Sequence, residues 1–226
     1  RDTSVTGVQT CALPIYRSGV ASAPTGVAVK APALSTAKLR GVDPTLGPFM
    51  QSTGEVIGIG TNARDAIGKA LIAANLLPPP PRDGQRTMVL SVADRDKALL
   101  PRLAHPLVEA GYDLAATPGT RDALAAIDIS ASLVAPLGAG GGSGAPEIVE
   151  LIRSGAICAV VNTPSPQSGV LRDALEIRLA AVEEGLLCLT TMETAVAAAE
   201  SLAVRRSHAR TAIGPLGNRG LREPLR

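Results

Sequence analysis

The sequence predicts an α/β fold: a five-stranded parallel sheet with helices on both faces, preceded by a smaller segment. Three observations predict the sheet. From residue 87 to 203, short apolar runs alternate with segments of helical period. The runs are apolar on both sides instead of at every second residue, as strands covered on both faces must be. Finally, 46% of the chain is hydrophobic while its only aromatic residues are Tyr16, Phe49 and Tyr112, so the core has to be assembled from Ala, Val, Leu and Ile, which suits closely packed layers.

Residues 1–16, RDTSVTGVQTCALPIY, show no period and look like translated adapter read-through, so they are expected to stand outside the fold. Residues 17–77 form the preceding segment. Within it, GVAVK from Gly26 reads as a short strand, and the Pro- and Gly-punctuated stretch that follows, through GEVIGIG, reads as irregular. Asn62 is placed as the cap of a helix in which Ala66, Ala70, Ala73 and Leu77, flanked by Ile67, Leu71 and Ala74, recur at three-and-four spacing. Residues 78–86, PPPPRDGQR, are a stiff polar linker and the expected domain boundary.

The regular region follows over 87–203. TMVLSV (87–92) is the first strand, and LLPRLAHPLVEAG is a helix with Pro101 tolerated in its first turn, a kink expected at Pro106 and Gly111 as its stop. YDLAAT (112–117) is a strand, RDALAAI a short helix and SASLVA (130–135) a third strand. After the loop GAGGGSG (138–144), Pro146 is expected to open the helix PEIVELIRSG. CAVVN (158–162), the helix RDALEIRLAAVEEG, the strand LLCLTT (186–191) and the helix METAVAAAESLA complete the series. Residues 204–226, rich in Arg and Gly and without period, are expected to be disordered.

Composition excludes several functions. Net charge is +2 and the basic residues are scattered, leaving no stripe for nucleic acid. Cys11, Cys158 and Cys188 lack metal-ligand spacing, and the last two sit in apolar runs, so they read as buried thiols of a reducing, cytoplasmic protein. No window reaches the uninterrupted apolar length of a membrane span, and no signal-peptide layout is seen.

In a sheet of this kind ligands sit beyond the carboxyl ends of the strands. Those ends carry Ser91 with Lys97, then Thr117-Pro118-Gly119-Thr120, then Asn162-Thr163, then Thr190-Thr191. In TPGT two hydroxyls flank a glycine that lets backbone approach closely, and the following helix points amides at the same spot, which suits an anion. Simple capping by Thr120 is the competing reading. The abrupt SVADRDK likewise reads either as a solvated turn or as a strand end that delivers Lys97 to a phosphate. The loop GAGGGSG lacks the Lys-Ser/Thr ending of a phosphate loop and reads as a flexible connection. His105 and His208 have no carboxylate or cysteine partner at useful spacing. Asp173 reads first as a helix cap, with acceptance from a ligand hydroxyl as a second role.

The blocks VAVKAPALSTAKLRGVDPTLGPFMQSTGEVIGIG, SVADRDK, AATPGT, VVNTPSP and RDALEIRLAAVEEGLLCLTT occur in order and resemble the C-terminal part of the large subunit of glutamine-dependent carbamoyl-phosphate synthase, across roughly residues 20–203. The first block resembles the end of the second ATP-grasp half, and the others the methylglyoxal-synthase-like regulatory domain, so the chain looks like a fragment. The resemblance implies an allosteric domain that binds UMP or IMP, with ornithine acting on some members at a separate site. Ser91, Lys97, Thr117 and Thr120, with Gly119 between the threonines, match the phosphate-binding positions; Asn162, Thr163 and Asp173 match those for ring and ribose. Two departures stand out: Pro136 where some members have a second phosphate-binding lysine, and Pro164 where they have a second threonine. The parent enzyme of the resemblance is an ATP- and magnesium-dependent ligase that works with a glutaminase small subunit and supplies carbamoyl phosphate to pyrimidine and arginine biosynthesis. No cofactor, catalytic residue or metal is expected in this segment itself.

A free-standing methylglyoxal synthase, which shares the fold, is the alternative. It requires a carboxylate base and a histidine beside the phosphate; Ala93 stands where the histidine would follow the first strand.

Overall fold

The protein is described by a computed structural model over residues 26–33, 45, 54–82, 84–137, 144–163 and 168–207. The expected leader (1–16), most of the glycine-rich loop, Pro164, His208 and nearly all of the expected tail lie outside the described residues. Everything described falls within one compact unit, Gly26–Pro215.

Strands β1 (Val27–Ala33) and β2 (Gly54–Gly60) pair antiparallel, with Val27 opposite Gly60 and Ala33 opposite Gly54. The reading of 54–60 as irregular is therefore corrected. Here the buried side of β2 carries Gly58 and Gly60, while Glu55, Ile57 and Ile59 face outward. Helix α1 (Ala63–Ala73) is the reason. A Cβ on Gly58 would stand 2.1 Å from the Ala66 carbonyl oxygen and 2.4 Å from the Ala70 nitrogen, so only glycine admits so close a helix. Asn62 caps α1 as expected, its side-chain oxygen accepting from the Asp65 N–H at 3.0 Å.

The parallel sheet contains β3 (Thr87–Ser91), β4 (Asp113–Ala116), β5 (Ser132–Leu133), β6 (Ile157–Asn162) and β7 (Leu187–Leu189), in the spatial order β5-β4-β3-β6-β7. All four neighbouring pairs are parallel, as the doubly apolar runs predicted. Helices α2 (Leu100–Glu109) and α6 (Met192–Ser207) cover one face. Leu100, Leu103, Ala104 and Leu107 of α2 meet Met88, Leu90, Leu114 and Val161, with Met192, Ala195 and Ala199 of α6 in the same cluster. The other face takes α4 (Ile148–Arg153) and α5 (Ser168–Glu183), through Ile148, Ile152, Ile177 and Ala181 against Val89, Ala115 and Val160. The short helix α3 (Pro118–Ala125) follows β4 and buries Leu124 in the first cluster. Every residue of β6 is buried, as a strand next to the centre of a two-faced sheet requires.

Several boundaries differ from the sequence reading. The third parallel strand shrinks to Ser132–Leu133 because it lies at the edge, with a single further bridge from Ala135 to Glu147. That bridge holds Glu147 extended, so α4 starts at Ile148 and not at Pro146. Helix α6 runs on to Ser207, past the residue 203 at which the regular region was expected to end. Tyr112 buries its ring in the main cluster and donates its hydroxyl to the Pro79 carbonyl at 2.6 Å, tying the proline run to the start of β4.

Candidate functional site

The sheet order places the site. After β3 the chain proceeds outward through β4 to β5, then returns to the other side of β3 for β6 and β7, so successive connections leave β3 in opposite directions. Pairing is level at this edge: Leu90 lies opposite Ala116 and Ser91 opposite Asn162. The segments that leave β3, β4 and β6 therefore meet at one crevice. A cavity of about 420 Å³ opens there, lined by Ser91, Lys97, Thr117, Gly119, Thr120, Asn162, Thr163 and Asp173 among others. All eight residues singled out from the sequence come together. A second cavity, of about 400 Å³, lies at the opposite edge, beside Gln85, Ile157 and Leu187, and contains none of them.

These eight divide into a buried frame and an accessible rim. The Thr120 side chain is 1% exposed; its hydroxyl accepts from the Val92 N–H at 3.0 Å and lies 3.2 Å from the Thr117 hydroxyl. Thr163 does the same on the other flank, its hydroxyl accepting from the Ala93 N–H at 2.8 Å while its own N–H donates to the Ser91 carbonyl at 3.1 Å. Two threonines from different loops thus clamp the chain immediately after β3, satisfying amides that have left the sheet ladder. Asn162 is also buried, and its side-chain oxygen accepts from Arg178 of α5 at 3.1 Å. Ser91, Lys97, Thr117, Gly119 and Asp173 form the rim.

Lys97 comes from a 3-10 helix, Asp94–Leu99, that carries the chain from β3 into α2. Its ammonium reaches the TPGT turn: a Cβ on Gly119 would stand only 3.0 Å from the Lys97 Nζ. Gly119 therefore leaves room for the cation. Helix α3 starts at Pro118, which has no N–H, and the Thr120 and Arg121 N–H groups return to the Thr117 carbonyl at 3.0 and 2.8 Å. The first turn thus leaves the Gly119 amide for a ligand at this spot. Cation, hydroxyl and helix terminus converge as an oxyanion requires. Lys97 is already ion-paired to Asp94 at 2.6 Å, and the Asp94 side chain is 94% exposed.

Asp173 is not a cap. Helix α5 begins at Ser168, which leaves Asp173 within the helix and facing the cavity beside Ala174 and Ile177. Thr190 and Thr191 do not line the cavity; the Thr191 hydroxyl is 2.9 Å from that of Thr194 at the start of α6. Pro136 stands on the rim and adds no charge.

Sequence reasoning missed Asp94 and Arg178. Asp94 was legible as a carboxylate three residues before a lysine. Arg178 follows Ala174 by four residues and so falls on the buried side of its helix, a signal that helical period alone supplies. Among the described residues, no three His, Cys, Asp or Glu side chains converge as a metal would require. His105 is exposed on α2, away from the cavity. No described helix is long and apolar enough to cross a membrane.

Comparison with known proteins gives two findings. Residues 100–190 match the model of the MGS-like domain family. Over 188 residues, 83% of this chain, the sequence is 41% identical to the carbamoyl phosphate synthase large chain of Thermomicrobium roseum, and the match covers 17% of that protein.

Proposed function

Residues 100–190 are an MGS-like domain in a chain related to a carbamoyl phosphate synthase large chain, and from that premise we propose that the cavity is an allosteric effector site for a nucleoside monophosphate of the UMP or IMP type. The observation that carries the reading is the convergence of Lys97, the TPGT turn and Asn162 at the switch point of the sheet. In this reading Lys97, Thr117 and the Gly119 amide take the phosphate, and Ser91 adds a hydroxyl. Asn162 and Asp173 face the nucleoside, Asp173 as an acceptor for ribose hydroxyls. Thr120 and Thr163 hold the walls.

We propose in addition that the parent protein carries out the ATP- and magnesium-dependent synthesis of carbamoyl phosphate, with a glutaminase subunit as partner, for pyrimidine and arginine biosynthesis in the cytoplasm. Ornithine is a further candidate effector of that protein. The ATP-binding machinery would lie in the remaining five-sixths of such a chain, so this 226-residue polypeptide should turn over no ATP alone. The effector's action on the whole enzyme would be a coupling free energy of about 1–3 kcal/mol. The lyase alternative finds carboxylates at the cavity in Asp94 and Asp173, but no described histidine lines it.

Calorimetric titration of the 226-residue chain with UMP, IMP and inorganic phosphate tests the site. Saturable binding of at least one nucleotide, competed by phosphate, is expected. No heat from either nucleotide at millimolar concentration would refute the effector reading, and phosphate release from dihydroxyacetone phosphate would replace it with the lyase.

A further inference from the structure

Arg178 lies 3% exposed in α5, behind the cavity wall, and donates from Nη1 to the Asn162 side-chain oxygen at 3.1 Å. A guanidinium has only donors, so the Asn162 atom that faces it has to be the oxygen. That settles which way round the amide stands. With its oxygen held on the Arg178 side, the side-chain N–H2 of Asn162, itself 1% exposed and part of the cavity lining, is turned the other way. Asn162 ends β6 directly opposite Ser91, which leaves its backbone no freedom to compensate.

We propose that Arg178 is a positioning residue that locks Asn162 into presenting a hydrogen-bond donor to the ligand, so that the site selects nucleosides with an acceptor oxygen at that point. Arg178 never touches the ligand in this scheme. It converts an amide that could offer either an oxygen or an N–H2 group into one that offers N–H2 only. Discrimination follows from this one-sidedness, because a ligand that brings a donor to Asn162 leaves two donors facing each other and unpaired. The specificity claim rests on the effector reading; the orientation of the amide does not.

The test uses the 226-residue chain as wild type, Arg178→Met and Arg178→Lys. In each, the Asn162 side-chain N–H2 resonance, identified by its loss in Asn162→Asp, is followed by heteronuclear relaxation without ligand. It should be rigid in wild type and Arg178→Lys and mobile in Arg178→Met. Titrations with UMP or IMP should then weaken by about three- to tenfold in Arg178→Met, the worth of one neutral hydrogen bond, and recover in Arg178→Lys. Affinity for inorganic phosphate, which carries no nucleoside, should stay unchanged in all three. Equal losses for nucleotide and phosphate would mean that Arg178 acts as a bulk charge or a fold determinant, and would overturn the proposal. So would an Asn162 amide equally rigid in Arg178→Met. A rigid amide in wild type that becomes mobile in Arg178→Met, in a protein that binds no nucleotide, would sink the effector reading while leaving the orienting role of Arg178 standing.

Discussion

Replacing Lys97 by alanine should weaken nucleotide binding by about 2- to 30-fold, and the structure shows why the number is not larger. A hydrogen bond to a charged group contributes roughly 1.5–3 kcal/mol. Lys97 does not wait free for the phosphate, since its ammonium sits 2.6 Å from the carboxylate of Asp94. That carboxylate is 94% exposed, so the pair is worth at most about 1 kcal/mol, but a phosphate has to displace or share it. The difference leaves about 0.5–2 kcal/mol for the contact, which gives the range stated. The same arithmetic makes Asp94→Asn tighten binding by up to about fivefold, because it releases the cation without removing a proposed ligand group. Calorimetry on wild type, Lys97→Ala and Asp94→Asn, at two salt concentrations, measures both effects. Salt should depress wild-type affinity more than that of Lys97→Ala. Unchanged affinity in Lys97→Ala would return SVADRDK to an ordinary solvated turn; weaker binding in Asp94→Asn would show that Asp94 is itself a ligand group.

Three further outcomes follow from close contacts and burial. Gly119→Ala should fold normally and lose a few-fold in nucleotide affinity, since its Cβ would stand 3.0 Å from the mobile Lys97 Nζ and push the ammonium aside; a melt and a titration decide it. Gly58→Ala should cost about 3 kcal/mol or more, read from denaturant unfolding, because the atoms it meets at 2.1 and 2.4 Å are helix backbone that cannot give way; a cost below about 1 kcal/mol would mean that α1 slides freely on β2. Burial pushes the Cys158 thiol up to about 11, against which hydrogen bonds to its own and the Ala159 backbone pull only partly. The folded state thus keeps the proton that the unfolded chain releases near 9, so this stabilisation is complete below about pH 9 and is lost as the pH climbs to about 11. The stability gap between wild type and Cys158→Ala should narrow by about 2 kcal/mol over that range, and a constant gap would contradict the shift.

The parallel sheet was legible because its signal is redundant: each strand from Met88 to Leu189 is a run of apolar residues bounded by a turn, and one misplaced boundary does not change the order. The ligand edge was legible for the same reason, since the residue after each strand follows once the strand is placed. What the sequence concealed depends on contacts between distant segments. The clamp of Thr163 onto the Ala93 N–H joins residues 70 apart, and neither side chain announces the other. The start of α5 at Ser168 lies ahead of the apolar period that was used to place it, so Asp173 looked like a beginning when it was an interior position. The strand Gly54–Gly60 was missed because hydrophobic periodicity looks for large buried side chains, and this one buries glycine.

That inversion in β2 has a consequence for how substitutions would be read there. A saturation scan scored for folding of this unit should give a map opposite to the one hydropathy suggests. Gly58 and Gly60, which carry no side chain to value, should admit almost nothing, while Ile57, 62% exposed, should tolerate polar replacement. A scoring scheme that weights apolar residues as structural would protect the wrong positions in this segment. Information about the fold is written here in the space that side chains leave empty, and it is visible only when the helix that occupies that space is in place.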